Sequence, residues 1–403
     1  MTVATPLTPV VGTASSAPSR QWSAHGSLQF IVLRRSAELL RCAPTLAGML
    51  ELWSPDDAPA RIEAYLRDAG FFGGGASGVV ADLHLGYGLS RTLRRAGPPG
   101  PPEPCPLPLA AVRIRPSDEP APAADPSAMR IGAWTRTWDD ASYGAAIAGA
   151  RASIAAGDVY QVNLVQHLSA PFAGDPAALA TALAPLGPRH ARPVAGDGWA
   201  IVSASPELFL AREGDRLWTM PIKGTRPAGW SGDALRDSPK DAAEHVMIVD
   251  LERNDLGRVC RPGSVRWPEL MTARPMAGVV HLVSVVEGTA RPGLGFAELI
   301  EALFPGGSVT GAPKIAAIDR IAALEPVGRG ASMGALGTVH PNGDMDLTLT
   351  IRTFAVAEGR IHLWVGGGIV WDSHPAAEIE ESWVKARPLL DAIGAPLAEV
   401  VPA

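Results

Sequence analysis

Lys223 stands alone among apolar neighbours in the run Pro221-Ile222-Lys223-Gly224-Thr225, where a strand gives way to a tight turn. An amine held there can act as a nucleophile. It does so only when desolvation or a nearby cation lowers its pKa, and Met220, Pro221 and Ile222 are expected to supply the desolvation. Taken by itself, such a lysine is more often a surface residue of a hairpin. Its weight comes from the groups elsewhere in the chain.

Two sets of acids are spaced for a shared ligand. Lys240, Asp241 and Glu244 fall about one turn apart on a helix expected over 234–256, so their side chains converge on one face. Glu378, Glu381 and Lys385 do the same on a helix expected over 375–393, with Pro375 in its first turn and Gly394 just past its end. Carboxylates from separate helices are the hard oxygen ligands that Mg²⁺ prefers, one from each leaving room for water and substrate oxygens. Acids on isolated helices are more often a solvated face paired at i,i+4, and spacing alone leaves that alternative standing.

Other candidates sit at strand ends and turns. Glu207 follows Ser205-Pro206, and His281 opens a strand. Arg352 shares an expected strand with Thr348 and Thr350, where it could grip a carboxylate in bidentate fashion or form an edge-strand ion pair. The run Phe304 to Lys314 (FPGGSVTGAPK) is a glycine-rich turn leading into a helix over 312–324, and amides at such a helix start attract anions. It lacks the GxxxxGK[ST] spacing of a nucleotide loop, so a carboxylate is the better guest. Gly366, Gly367 and Gly368 follow a strand directly and would let backbone amides approach a ligand.

The elements that must position these groups are read from periodicity and punctuation. A helix carrying Tyr143, Ile147 and Ile154 stops at Gly157, and a half-buried strand over 159–165 then shows Gln161 and Asn163 on one face. Strands over 200–210 and 217–222 flank Glu213-Gly214-Asp215, and strands over 345–356 and 360–365 flank Glu358-Gly359. Hairpins of this kind make largely antiparallel sheets. Upstream lie a segment of helical periodicity over 36–52 and a glycine-rich turn over 70–78. Proline at the density found over 97–127 continues neither helix nor central strand, so it is expected to mark a boundary or a long surface loop.

Composition narrows the function classes. With 403 residues, 47% hydrophobic and 19% charged, the chain is ample for a large core. A net charge of −6, a pI near 5.9 and no long Lys/Arg run argue against a nucleic-acid partner. Cys42, Cys105 and Cys260 share no CxxC spacing, which argues against disulfides and thiolate metal sites. No apolar run approaches the ~20 residues that span a bilayer, so no membrane is expected. The first twenty residues lack the pattern of a secretory signal, and a cytoplasmic location is expected.

In order and spacing, seven strings resemble the chorismate-utilising enzymes: GDVYQVNL from Gly157, SASPELF from Ser203, KDAAEHVMIVDLERNDLGRV from Lys240, HLVSVVEG from His281, FPGGSVTGAPK from Phe304, DLTLTIRTF from Asp346 and GGGIVWDSHPAAEIEESWVKA from Gly366. Lys223 makes the chain most similar to the aminodeoxychorismate synthase component I branch. The resemblance implies an α+β fold like that of anthranilate synthase component I, with large, mostly antiparallel sheets packed face to face and helices outside. Composition marks a disordered tail over 1–20 and a Pro-rich connector over 97–130, and the resemblance implies a divergent N-terminal region over 21–96 completing the sheet and a chorismate-binding catalytic domain over 131–396.

Carried over by position, Glu244 and Glu381 correspond to direct Mg²⁺ ligands, and Asp241 and Glu378 to water-mediated or more distant acids. Asp241 is a carbon shorter than the glutamate often found in relatives. Lys223 is the implied nucleophile, Glu207 the acid that protonates the departing 4-hydroxyl, and His281 a neighbour of that hydroxyl. Arg352 and the Gly366–Gly368 amides are implied to hold the enolpyruvyl carboxylate, with Thr225 and Thr310 beside the substrate and Lys385 near the ring carboxylate. Relatives making isochorismate or salicylate carry lysine where Gln161 stands, and anthranilate synthases have alanine where Lys223 stands. The implied reaction joins chorismate to ammonia from a separate glutaminase subunit, on the route to 4-aminobenzoate and folate.

Overall fold

The computed structural model of the protein describes residues 48–227, 239–276, 279–395 and 400–402. Among these residues the strands form two sheets, of ten and nine strands. Pairing is antiparallel throughout, except where Val400–Pro402 runs parallel to Trp134–Arg136. Alternation of apolar side chains explains how the sheets stack. Leu83, Val112, Leu210 and Leu347 of the first sheet and Val162, Leu164 and Trp364 of the second join a single buried cluster. A second cluster covers the outer face of the nine-stranded sheet, where Leu168, Phe354 and Leu363 meet Leu179 and Leu183 of the helix Pro176–Leu183 and Leu389 and Leu390 of the helix Pro375–Ala392. The result is the expected α+β architecture, with large antiparallel sheets face to face and helices outside.

This layering corrects several local expectations. The strand over 159–165 becomes Gln161–Ala173, and Gln161 through Ala170 are all buried because a sheet covers one face and helices the other. Positions 36–47 of the expected N-terminal helix lie outside the described residues, and Met49–Leu52 is instead a strand paired with Ala110–Pro116. That partner lies inside the Pro-rich stretch over 97–130. Its proline-free run Ala110–Arg115 supplies the N–H groups a ladder needs, and it also pairs with Val79–Leu85. The prolines before it are laced to the core as well, since Pro102 O accepts from Gly328 N at 2.7 Å and Glu103 Oε2 from Gly330 N at 2.8 Å.

Two runs expected as single strands break in the middle and change sheet. Trp199–Ser203 belongs to the nine-stranded sheet and Leu208–Glu213 to the ten-stranded one, with Ala204-Ser205-Pro206-Glu207 crossing between them. Met345–Leu349 and Thr353–Ala357 make the reverse passage through Thr350-Ile351-Arg352. Pro206 cannot donate to a ladder, and Arg352 has φ of 50°, a left-handed conformation uncommon outside glycine. The two crossings lie side by side, tied by Ala204 N to Arg352 O and Leu349 N to Glu207 O, each at 2.9 Å. No helix among the described residues is long and apolar enough to cross a membrane.

Candidate functional site

The paired crossings place Glu207 and Arg352 at one end of the space between the sheets. Glu207 is buried, 4% exposed, where its Oε1 accepts from Ile222 N at 3.4 Å and its carboxyl bonds the Ser308 hydroxyl. Burial raises its pKa above the usual carboxylate range, against the opposing pull of Lys223 and the bonds from Ser308 and Ile222. A carboxyl that holds its proton to higher pH than usual is what an acid catalyst needs. The cost of Arg352's left-handed backbone is the kind of strain that collects at functional positions, and the strand expected to carry this residue has ended before it.

Pro221 interrupts the next strand, and Lys223 follows on Ile222–Pro227, paired with Leu282 of Val279–Thr289. Its amine reaches Glu244 Oε1 at 3.1 Å, with 12% of the lysine side chain and 15% of the glutamate side chain exposed. The expected lowering of its pKa does not occur in this arrangement. Burial pushes the amine down, but the carboxylates of Glu244 and Glu207 outweigh it and hold the ammonium above its ordinary value. An ammonium held in this pair is not nucleophilic, and a free amine at this position requires that Glu244 release it. The neighbouring His281 is buried, its Nδ1 lies 3.1 Å from Gly224 O, and burial favours its neutral form.

Glu244 rides on the helix Pro239–Gly257, which is anchored by the next residue: His245 is fully buried with its Nε2 2.5 Å from Ser284 Oγ. Glu244 Oε1 also accepts from Gln161 Nε2 at 3.4 Å. On the helix Pro375–Ala392, Lys385 Nζ bonds Glu381 Oε1 at 2.8 Å and Gly366 O at 2.9 Å, while Glu378 is buried. The two acidic groups converge, since Glu381 as well as Glu244 acts on Lys223. The side chains of Asp241 and Thr225 lie outside the described residues. Thr310, fully buried, donates its hydroxyl to Gly306 O at 2.9 Å and so holds the glycine-rich loop.

The glycines of the strand Arg360–Ile369 allow this approach. A Cβ on Gly368 would stand 2.0 Å from Gln161 Nε2 and 2.9 Å from Glu244 Oε1. A Cβ on Gly367 would meet Lys385 Nζ at 3.3 Å and Glu381 Oε1 at 3.4 Å. Gly368→Ala is therefore expected to displace Gln161 and Glu244 together, at a cost of about 1–3 kcal/mol of stability. Thermal unfolding of the variant measures the effect, and an unchanged unfolding temperature would show that the strand yields freely.

The fit to a divalent cation can be judged from these donors. Glu244 and Glu381 offer hard oxygens that each already hold an ammonium, so the positions suit positive charge. Among the described residues no three His, Cys, Asp or Glu groups gather tightly enough to enclose an ion by themselves. Such a site would complete its shell with substrate and water. Sequence reasoning passed over Ser308, whose only signal is its place in the loop opposite Glu207, and a buried group of Glu252, Asp255 and Lys314 behind that loop.

Residues 97–391 match the chorismate binding enzyme family. The chain is 40% identical over 316 residues to anthranilate synthase component 1 of Streptomyces coelicolor, covering 76% of this chain and 59% of that protein. It is 43% identical over 270 residues to aminodeoxychorismate synthase component 1 of Klebsiella aerogenes, covering 64% of this chain and 59% of that one. The chain thus spans about three fifths of the length of these curated relatives. Among solved structures, anthranilate synthase component I from Streptococcus pneumoniae TIGR4 superposes with a TM-score of 0.70 at 27% identity, covering 81% of this chain and 85% of the other. The match over 97–391 takes in both sheet crossings, the glycine strand and both acidic helices, and the chain belongs to the chorismate binding enzyme family.

Proposed function

We propose that the protein converts chorismate and ammonia into 4-amino-4-deoxychorismate. The observation that carries this reading is Lys223, an amine in contact with Glu244 and under the influence of Glu207. Relatives named for anthranilate synthesis and for aminodeoxychorismate synthesis match about equally well, so the choice rests on that position. Lys223, as the free amine, attacks C2 of the ring, both double bonds of the diene shift, and the 4-hydroxyl leaves as water with the proton of Glu207, which is replaced from the attacking nitrogen. Ammonia then adds at C4, the double bonds return, and the lysine is expelled from C2 with the proton that ammonia gives up. Splitting the displacement in two is what a covalent nucleophile offers.

Gln161 supports amination over hydration, because an amide does not activate water as the lysine of isochorismate-forming relatives does. Arg352 and the amides of Gly366 to Gly368 grip the enolpyruvyl carboxylate, and His281 steadies the departing hydroxyl. Glu244 and Glu381 would hold Mg²⁺, with Asp241 and Glu378 behind them. Bound there with the ring carboxylate, the ion supplies electron withdrawal from the diene. Ammonia comes from a separate glutaminase subunit, in keeping with the component 1 names of the relatives.

The purified chain incubated with chorismate, Mg²⁺ and ammonium is expected to form 4-amino-4-deoxychorismate, identified by chromatography and mass. Chelation should abolish turnover and Mg²⁺ restore it. Anthranilate as the product would select the neighbouring branch, and full activity in excess chelator would remove the ion from the mechanism.

A further inference from the structure

Glu252 lies two turns along the Pro239–Gly257 helix from Glu244 and is buried beneath the loop Gly306 to Thr310. The loop backbone rests on it: Gly307 N–H bonds its carboxyl, and a Cβ on Gly307 would come within 3.2 Å of Glu252 Oε1. Three charged groups face it, namely Asp255 on its own helix, Lys314 at the start of the helix Lys314–Leu324, and Glu207 at the sheet crossing. Lys314 is already committed, with Nζ 2.5 Å from Asp255 Oδ2 and 2.8 Å from Leu303 O. One ammonium cannot neutralise two buried carboxylates, so a proton on one of them is the less costly state.

We propose that Glu252 is a positioning residue: kept as a neutral acid beside Asp255 and Lys314, it seats the Gly306 to Thr310 loop and so holds Ser308 against Glu207. The inference rests on the reading of Glu207 as the acid of the reaction. Burial and the Asp255 carboxylate push Glu252 up to about 8, in keeping with the neutral form. Once ionised, it repels Asp255 and Glu207 and loosens its hold beneath the loop.

Infrared spectroscopy of the whole chain tests the proton without substrate. The wild-type minus Glu252→Gln difference spectrum is expected to contain a protonated-carboxyl band at pH 7 that fades as pH rises through about 8. In turnover at fixed free ammonia, Glu252→Ala should lose on the order of 10-fold in kcat. Glu252→Gln, neutral at every pH, should recover most of that loss and carry the alkaline fall in rate to higher pH. Absence of the band, an alanine variant as active as wild type, or coincident alkaline limbs for wild type and Glu252→Gln would each overturn the proposal. Should the alanine variant fail to fold, the glutamine variant and the infrared arm decide. Should the wild type fail to aminate chorismate, the reading of the reaction falls, and the infrared band alone decides the state of Glu252.

Discussion

Lys223→Ala is expected to lower formation of 4-amino-4-deoxychorismate by on the order of 10³-fold or more, the scale seen when a covalent nucleophile is removed. The side chain is 12% exposed and meets Glu244 at 3.1 Å, so alanine removes the amine without deleting a large part of the core. Circular dichroism should match wild type. What remains is slow direct addition of ammonia, and addition at C2 would shift the product toward the anthranilate branch. The covalent route has its own signature: wild-type protein trapped with chorismate in the absence of ammonia should carry a substrate-derived mass on the peptide containing Lys223. If no adduct forms and Lys223→Ala keeps the normal rate and product, the lysine is a structural partner of Glu244 and amination on this scaffold is noncovalent.

Which parts of this arrangement the sequence could disclose depends on how local each determinant is. The helices that carry Glu244 and Glu381 are legible because capping, i,i+3 and i,i+4 spacing and a terminal glycine are all read within a few residues. Antiparallel sheets follow from the turns at Glu213-Gly214-Asp215 and Glu358-Gly359 for the same reason. The sheet crossings are not local. Nothing in 200–210 or 345–356 announces that half of each run pairs in a different sheet, although Pro206 is a cue in retrospect. The protonation of Lys223 is further still from local sequence, because the carboxylates that decide it arrive from Glu207 and from a helix 21 positions downstream at Glu244. Desolvation is the only influence a linear reading can see, and although it is the largest single cause, the carboxylates together outweigh it.

Glu207→Gln tests the other half of the chemistry and is expected to lower kcat by roughly 10²–10⁴-fold, the usual contribution of a general acid, with little change in KM. Glutamine fills the same buried space and can keep the bond from Ile222 N and a bond to Ser308, so packing is preserved while the transferable proton is lost. The sign of the pH dependence follows from the direction of the shift. Burial raises the folded-state pKa of Glu207, so the acid form extends to higher pH than for an ordinary carboxylate, and activity is lost as pH rises through that raised value. The variant should lack this limb. Stability obeys the same rule: the contribution of Glu207 is fully present below the unfolded carboxylate pKa and is lost as pH rises through the folded one, so Glu207→Gln should gain stability relative to wild type at alkaline pH. A variant that keeps turnover within about threefold of wild type, well short of the factor a general acid provides, would mean that the leaving hydroxyl takes its proton from another group. Neutral, buried His281, bonded through Nδ1 to Gly224 O, would then be the next residue to replace.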